Sequence, residues 1–326
     1  MSFGAGVAVG FAMGKKMFES GGSKPEEDWT PPADWPVVPE PNDYEIFFLV
    51  EALTTNQVFS FLLSAPSTAN TGSGNLAIDW GDGSIELFAN SEWDVNSLYH
   101  TYANVGKYVV KVTTTASSCF FQYINQAYEK SIVLMAKLGN EIIINNGSES
   151  HTQMGFRAQY RIQYVKLGGK GGLARQQTFG LSYALRKVDI AIPPTIIPPG
   201  TFSSAYSLGK FDFSEVTEIS NDAFTNSGFK KLDMPKCVSV GIRGISSCSA
   251  LREVNLPVVL TVGDNGMSNN AYLKSVNAPL CTSIGKNGMY SCYSLEKITI
   301  ADNCTFGTGC FSYCYNLIPH PDGSTN

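Results

Sequence analysis

Along the second half of the chain, bulky apolar residues return at a nearly constant interval. Phe156, Phe179, Phe202, Phe224, Ile245, Met267, Met289 and Phe311 recur every 21 to 23 positions. Each is followed by an apolar triplet of the pattern L-x-x-L-x-L, from Ile162, Val165 and Leu167, through Leu208, Phe211 and Phe213, to Leu295, Ile298 and Ile300; Leu317 opens one more. A unit of this length cannot bury its own apolar face, so the repetition predicts a solenoid whose coils are stable only between neighbours. At about 4.8 Å per coil, seven or eight coils make a rod roughly 35 Å long. The first half has a different period: Leu76, Ile78 and Trp80 alternate with polar residues, as a half-buried strand does.

Two readings meet at the turn IDWGDGS. Asp79, Asp82 and Glu86 could offer oxygen ligands to calcium, but the longer carboxylate run that ends in a bidentate glutamate is missing. The alternative is a hairpin in which Asp82-Gly83 tolerates positive φ. This turn, with His100-Thr101-Tyr102 and Gly106-Lys107-Tyr108 leading into Val109, Val110 and Val112, resembles a PKD-type domain. The resemblance covers roughly Tyr44 to Ser117. It implies an immunoglobulin-like β-sandwich that serves as a spacer or adhesion module, usually without catalysis. The repeats resemble leucine-rich repeats of the BspA-like type, with Cys248, Cys292 and Cys314 at the cysteine position and Pro235, Pro257 and Pro279 at the proline position. The first repeats depart from it around Gly168 to Gln177. The expected fold class is mainly β: an immunoglobulin-like β-sandwich followed by a leucine-rich-repeat solenoid.

Composition narrows the partners. A net charge of -5, only 16% charged residues and no basic stripe with interleaved aromatics argue against nucleic acid. The apolar run Phe3 to Gly14 is too short to span a bilayer and has no preceding Lys or Arg, so neither membrane insertion nor a secretory signal is expected. Gly6, Gly10 and Gly14 would share one helical face and make residues 1–20 a docking segment; a disordered tail of small residues is the alternative. Residues 21–43 carry Pro25, Pro31, Pro32, Pro36, Pro39 and Pro41 with Trp29 and Trp35, and read as a semi-rigid linker. The sandwich is then expected over 44–118, a connecting segment or solenoid cap over 119–155 and the repeats over 156–326.

The chemistry is sparse. Among the eight cysteines, those at repeated positions read as small buried residues with free thiols, and Cys304, Cys310 and Cys314 lack zinc-ligand spacing. His100, His151 and His320 lie in separate segments, and neither a nucleophile elbow, a P-loop nor HExxH is present. GGKGG at Gly168 to Gly172 reads as a loop. No catalytic, cofactor or metal residues are assigned. What remains is a surface. Lys187, Lys210, Lys231 and Lys297 would form one outward column, and Asp189, Asp212, Asp233, Asn255 and Asn277 the next; Tyr183, Tyr206, Tyr293 and Tyr315 would form an aromatic edge. These columns suit either a solvated, self-neutralising ladder or a face that recognises a host-surface glycan or protein. At the last coil, Phe311, Leu317 and Ile318 are expected to be left uncovered and to contact another copy or an assembly partner. The function expected is a non-enzymatic phage virion fibre or decoration protein, an oligomer held to other virion proteins by its N-terminus. A bacterial cell-surface adhesin is the alternative, and a glycan-active enzyme the third class.

Overall fold

The computed structural model describes residues 29–64, 75–88, 98–116, 119–124, 130–144, 155–170, 172–173 and 176–324. Gly6, Gly10 and Gly14 lie outside them. Strands and turns make up the described chain. In order these are β1 (Glu45–Ala52), β2 (Gln57–Ser64), β3 (Leu76–Asp79), β4 (Ile85–Phe88), β5 (Leu98–Tyr102), β6 (Gly106–Thr114), β7 (Cys119–Ile124), β8 (Val133–Leu138), β9 (Ile142–Ile144), β10 (Tyr164–Leu167) and β11 (Lys187–Ile190). Ten short strands follow, one or two per coil: β12 (Ile196–Ile197), β13 (Glu218–Ile219), β14 (Lys231–Asp233), β15 (Ser239–Val240), β16 (Glu253–Asn255), β17 (Thr261–Val262), β18 (Ser275–Asn277), β19 (Ser283–Ile284), β20 (Lys297–Thr299) and β21 (Thr305–Phe306).

The first half forms two facing sheets. One runs β4-β3-β6-β1-β8-β10-β11 and the other β5-β2-β7-β9. Between them Phe48 meets Phe59 and Phe121 with ring centroids 5.4 and 5.9 Å apart, and Trp80 lies 5.9 Å from Phe61. The larger sheet does not stop where the repeats begin. β8 pairs antiparallel with β1 and parallel with β10, which pairs parallel with β11, so one sheet passes from the antiparallel half into the solenoid. Residues 119–155, expected as a connecting segment or cap, supply strands to both sheets. The aromatic core is equally continuous: Phe121, Phe156, Phe179, Phe202 and Phe224 stack in series at 5.0 to 5.8 Å.

β1 reads EIFFLVEA without alternation because both of its faces are covered. Ile46, Phe48 and Val50 enter the main core, whereas Phe47 and Leu49 join a second cluster with Val38, Leu134 and Met135. The cover on that outer face is the segment expected as a linker. Trp29 and Trp35 pack on this cluster, Trp29 lies 6.0 Å from the Tyr164 ring, and Lys137 donates to the Val38 carbonyl at 2.7 Å. Ion pairs fasten the strap: Asp34 to Lys107 at 2.6 Å, and Glu40 to Lys137 and Lys166 at 2.8 and 2.6 Å. The prolines stiffen the segment on either side of a turn at Pro32 to Trp35, and the tryptophans supply the apolar area that makes it dock.

In the solenoid, β14-β16-β18-β20 form one parallel sheet and β12-β13-β15-β17-β19-β21 another. The eight recurring bulky residues are all buried in the core, with 1% exposure or less. Burying each contributes about 1.5–3 kcal/mol, against at most about 1 kcal/mol for an exposed ion pair, so the apolar columns and not the charges hold the coils together. Coils approach closely where a glycine recurs: a Cβ on Gly285 would stand 2.7 Å from the Asp264 backbone nitrogen.

Three local expectations change. The loop of IDWGDGS spans Trp80 to Ser84, with positive φ at Gly81 and Gly83 and not at Asp82. Lys210–Phe213 makes no strand and pairs with β11 only through the Lys187 and Lys210 bridge, because β11 runs into the Ile192-Pro193-Pro194 extension and Asp212 accepts the Ser214 N–H and turns the chain. At the C-terminal coil, Phe311 and Leu317 are buried and only Ile318 is exposed. The chain after Ile318 folds back: His320 lies 6.1 Å from the Phe311 ring, within hydrogen-bond distance of the Cys314 carbonyl (3.3 Å) and of Ser324 Oγ (2.9 Å).

Candidate functional site

The acidic turn is structural. Asp79 accepts the Gly81 N–H at 2.9 Å, and Asp82 accepts from Ser84 and lies 2.7 Å from His100 Nε2. His100 also stacks on Trp80 at 5.0 Å. Burial raises the Asp82 carboxyl, but hydrogen bonds from Ser84 and His100 more than offset this and leave it below its usual value. These oxygens are spent on the turn, and among the described residues there is no group of three or more His, Cys, Asp or Glu placed to hold a metal.

The cysteines form a donor column. Cys248, Cys292 and Cys314 donate to the carbonyls of Phe224, Met267 and Met289 at 3.1 to 3.2 Å, each the bulky residue one coil earlier. Asn270 and Ser182 hold the same position and donate to Ile245 and Phe156. All eight thiols are free, and burial pushes Cys248 and Cys314 up to about 11, so they act as neutral donors inside the core.

The strand face brings the Lys and Asp columns together as expected, with two differences. Its register runs Tyr164, Lys187 and Lys210, then Lys231, Glu253, Ser275 and Lys297, so an acid and a serine interrupt the lysines. The neighbouring row is largely self-satisfied: Asn255 donates to Asp233 at 2.8 Å, Asn277 donates to Asn255 at 2.7 Å, and Lys187 pairs with Asp189 at 2.9 Å. From β14 onward it is a polar ladder. At the missing strand it is not. There the face opens on both sides of Phe211, and a cleft of about 630 Å³ is lined by Lys187, Asp189, Ile190, Pro194, Lys210 and Asp212. Among the described residues Lys210 has no carboxylate within ion-pair distance. Tyr164 touches two of these lining residues: its hydroxyl donates to Asp189 at 2.8 Å and its ring carries the Lys187 ammonium at 5.5 Å. Burial, then that hydrogen bond, pushes the Tyr164 pKa far above the ordinary tyrosine value.

The tyrosines do not form one edge. Tyr183 and Tyr206 continue a half-buried stack that begins at Tyr160, with centroids 4.3 and 5.2 Å apart. Tyr293 and Tyr315 stack at 5.9 Å in the last two coils, with the exposed Tyr313 beside them. Gly228, Ser249 and Ala271 occupy the equivalent position between the two groups. Sequence reasoning missed Tyr160, Tyr164, Tyr313 and the cleft; the double proline Pro193-Pro194 inside a repeat was the available signal.

A family model described as the BspA type leucine rich repeat region matches six copies over residues 136–251 and 245–319, beginning within β8. The chain belongs to this family. No curated protein matches it. Among solved structures, the BspA-type coils are similar to a leucine-rich repeat protein from Bacteroides ovatus, 18% identical over 60% of this chain and 52% of that one, TM-score 0.46. The chain thus spans about half the length of the Bacteroides protein. They are also similar to the leucine-rich repeat protein TpLRR of T. pallidum, 18% identical over 63% and 85% of the two chains, TM-score 0.42. A leucine rich cell surface protein from Faecalibacterium prausnitzii is 15% identical over 62% and 89%, TM-score 0.30. No helix among the described residues is long and apolar enough to cross a membrane.

Proposed function

We propose that the protein is a non-enzymatic recognition protein of the surface-adhesin type, which binds a host-surface glycan or protein through the strand face around Phe211. The observation that carries this is the break in the strand face. Elsewhere that face neutralises itself, whereas here an apolar floor of Val188, Ile190 and Phe211 lies open beside Lys210 and Asp212. An open apolar floor with a few convergent charges is the usual form of a recognition site. BspA-like repeats are common in bacterial surface adhesins, which supports placing the protein at a cell surface. The facing antiparallel sheets support the PKD-like reading of Tyr44 to Ser117 as a spacer that is fused to the rod.

The test is binding of the full chain to cells and to glycan and protein arrays. Lys210→Ala, and Asp212→Asn, which removes the charge but keeps an oxygen for the Ser214 N–H, should weaken binding by roughly tenfold or more without changing the melting temperature. Unchanged binding by both variants places the site elsewhere. Electron microscopy that locates the protein on purified phage particles would replace the cell surface with a virion and leave the recognition role standing.

A further inference from the structure

One pair of cysteines stands apart from the donor column. Cys237, Val259, Cys281 and Cys304 hold the same corner of successive coils, each with its N–H bonded to the carbonyl three residues back. The first three follow one another at 22 residues and are 0% exposed, whereas Cys304 comes 23 residues after Cys281 and is half-buried. The extra residue shifts Cys304 along its coil and out toward solvent. The Cys281 and Cys304 sulfurs lie 3.5 and 3.7 Å from the carbonyls of Ser283 and Thr305. Those two residues are direct partners in the parallel pair of β19 and β21, so Cys304 stands opposite Thr282, one residue along from Cys281. One strand spacing across and one residue along places the two Cα atoms about 6 Å apart. That is inside the range of roughly 4.4–6.8 Å which a disulfide spans. The two thiols are also within hydrogen-bond distance of each other.

The other cysteines differ. Cys292 and Cys314 are one coil apart as well, but both are 0% exposed and their thiols aim at different carbonyls, those of Met267 and Met289. Cys237 has Val259 at the equivalent place on the next coil. We propose that Cys281 and Cys304 form a disulfide rung between β19 and β21 in an oxidising environment, with the half-buried Cys304 as the first thiol to react. With glutathione disulfide as the oxidant, the Cys304 thiolate takes one sulfur and releases one glutathione, leaving a mixed disulfide. The Cys281 thiolate then attacks the Cys304 sulfur and expels the second glutathione. Two thiols lose two electrons, their protons pass to the two glutathione thiolates, and one glutathione disulfide becomes two glutathiones. Burial, then the neighbouring Cys281, pushes the Cys304 thiol up to about 12, so the exchange is slow at neutral pH. The rung closes one turn of the solenoid, and it does not depend on what the strand face binds.

The test starts from the reduced full chain, incubated with glutathione disulfide at about pH 8.5 to raise the thiolate fraction, while circular dichroism follows the fold. Samples are quenched with acid, alkylated in denaturant without reduction and mapped by mass spectrometry. Expected is a peptide linked through Cys281 and Cys304 and a loss of two alkylated thiols from the eight, with Cys237, Cys292 and Cys314 still alkylated. Cys281→Ala should leave Cys304 as a glutathione adduct, and Cys304→Ala should leave Cys281 reduced. A wild-type chain that stays folded with Cys304 reduced, or held as a lasting glutathione adduct, overturns the pairing. So does a link that forms only once the chain has unfolded. Glutathione on Cys281 in the folded Cys304→Ala chain, at the rate seen for Cys304 in Cys281→Ala, overturns the order of attack.

Discussion

Gly81 and Gly83 both take positive φ, yet they stand in different surroundings. A Cβ on Gly81 would lie 2.6 Å from the Val109 carbonyl oxygen, whereas one on Gly83 meets nothing within 4 Å. Gly83→Ala should therefore cost only the left-handed backbone penalty, about 1–2 kcal/mol. Gly81→Ala adds a backbone collision and should cost roughly 2–4 kcal/mol in urea denaturation. Equal losses for the two variants would mean that β6 yields to the turn. The donor column follows a similar logic: Ser, Cys and Asn recur there, and Ala205 stands in one coil, because the position asks for a small side chain and a donor there meets the carbonyl one coil back.

Each coil from Phe179 to Phe311 bends twice through the left-handed region, two residues before and two after its bulky residue. Asn265 and Asn269 flank Met267 with φ of 54° and 59°, and Ser247 follows Ile245 with φ 58°. Asparagine recurs at these positions because its short polar side chain tolerates this conformation. Asn269 is exposed and its side chain bonds locally to Ser268, so Asn269→Val tests mainly the backbone cost. It should lower stability by about 1–2 kcal/mol, and Ser247→Gly should raise it by roughly 0.5 kcal/mol. Thermal unfolding of the two variants checks both signs. A gain from valine at position 269 would contradict the assigned φ.

At the scale of the whole molecule, the strap fastens the antiparallel half to the first coils. Its central carboxylate, Glu40, is held below the usual value of 4.5 by hydrogen bonds from Lys137 and Lys166. A depressed carboxylate contributes its full stabilisation above its unfolded value and loses it as pH falls through the folded one. Strap docking should therefore be intact at pH 6 and should weaken below about pH 4.5, as a red shift of tryptophan emission that Glu40→Gln moves or abolishes. A wild-type emission spectrum unchanged down to the point of global unfolding would show that apolar packing of Trp29 and Trp35 holds the strap without the ion pairs.

The solenoid was legible from residues alone, because its contacts are made between positions one repeat apart and each coil writes the same apolar template again. Phe202 stacks on Phe179 and Phe224 for that reason, and Cys248, Cys292 and Cys314 are buried for it. The strap was not legible. A proline-rich stretch reads as a spacer until the face beneath it is known, and Lys137 and Lys166 meet Glu40 across separations of 97 and 126 residues. The unbroken apolar run of β1 made sense only once a cover lay on each of its faces. Nor could periodicity reveal the cleft: Phe211 and Phe213 keep the repeat's apolar spacing, and their strand fails to form because of how the neighbouring Pro193-Pro194 extension sits. Local repetition encodes contacts that recur at one spacing, whereas contacts that occur once, between segments of different composition, are decided only when the chain has packed.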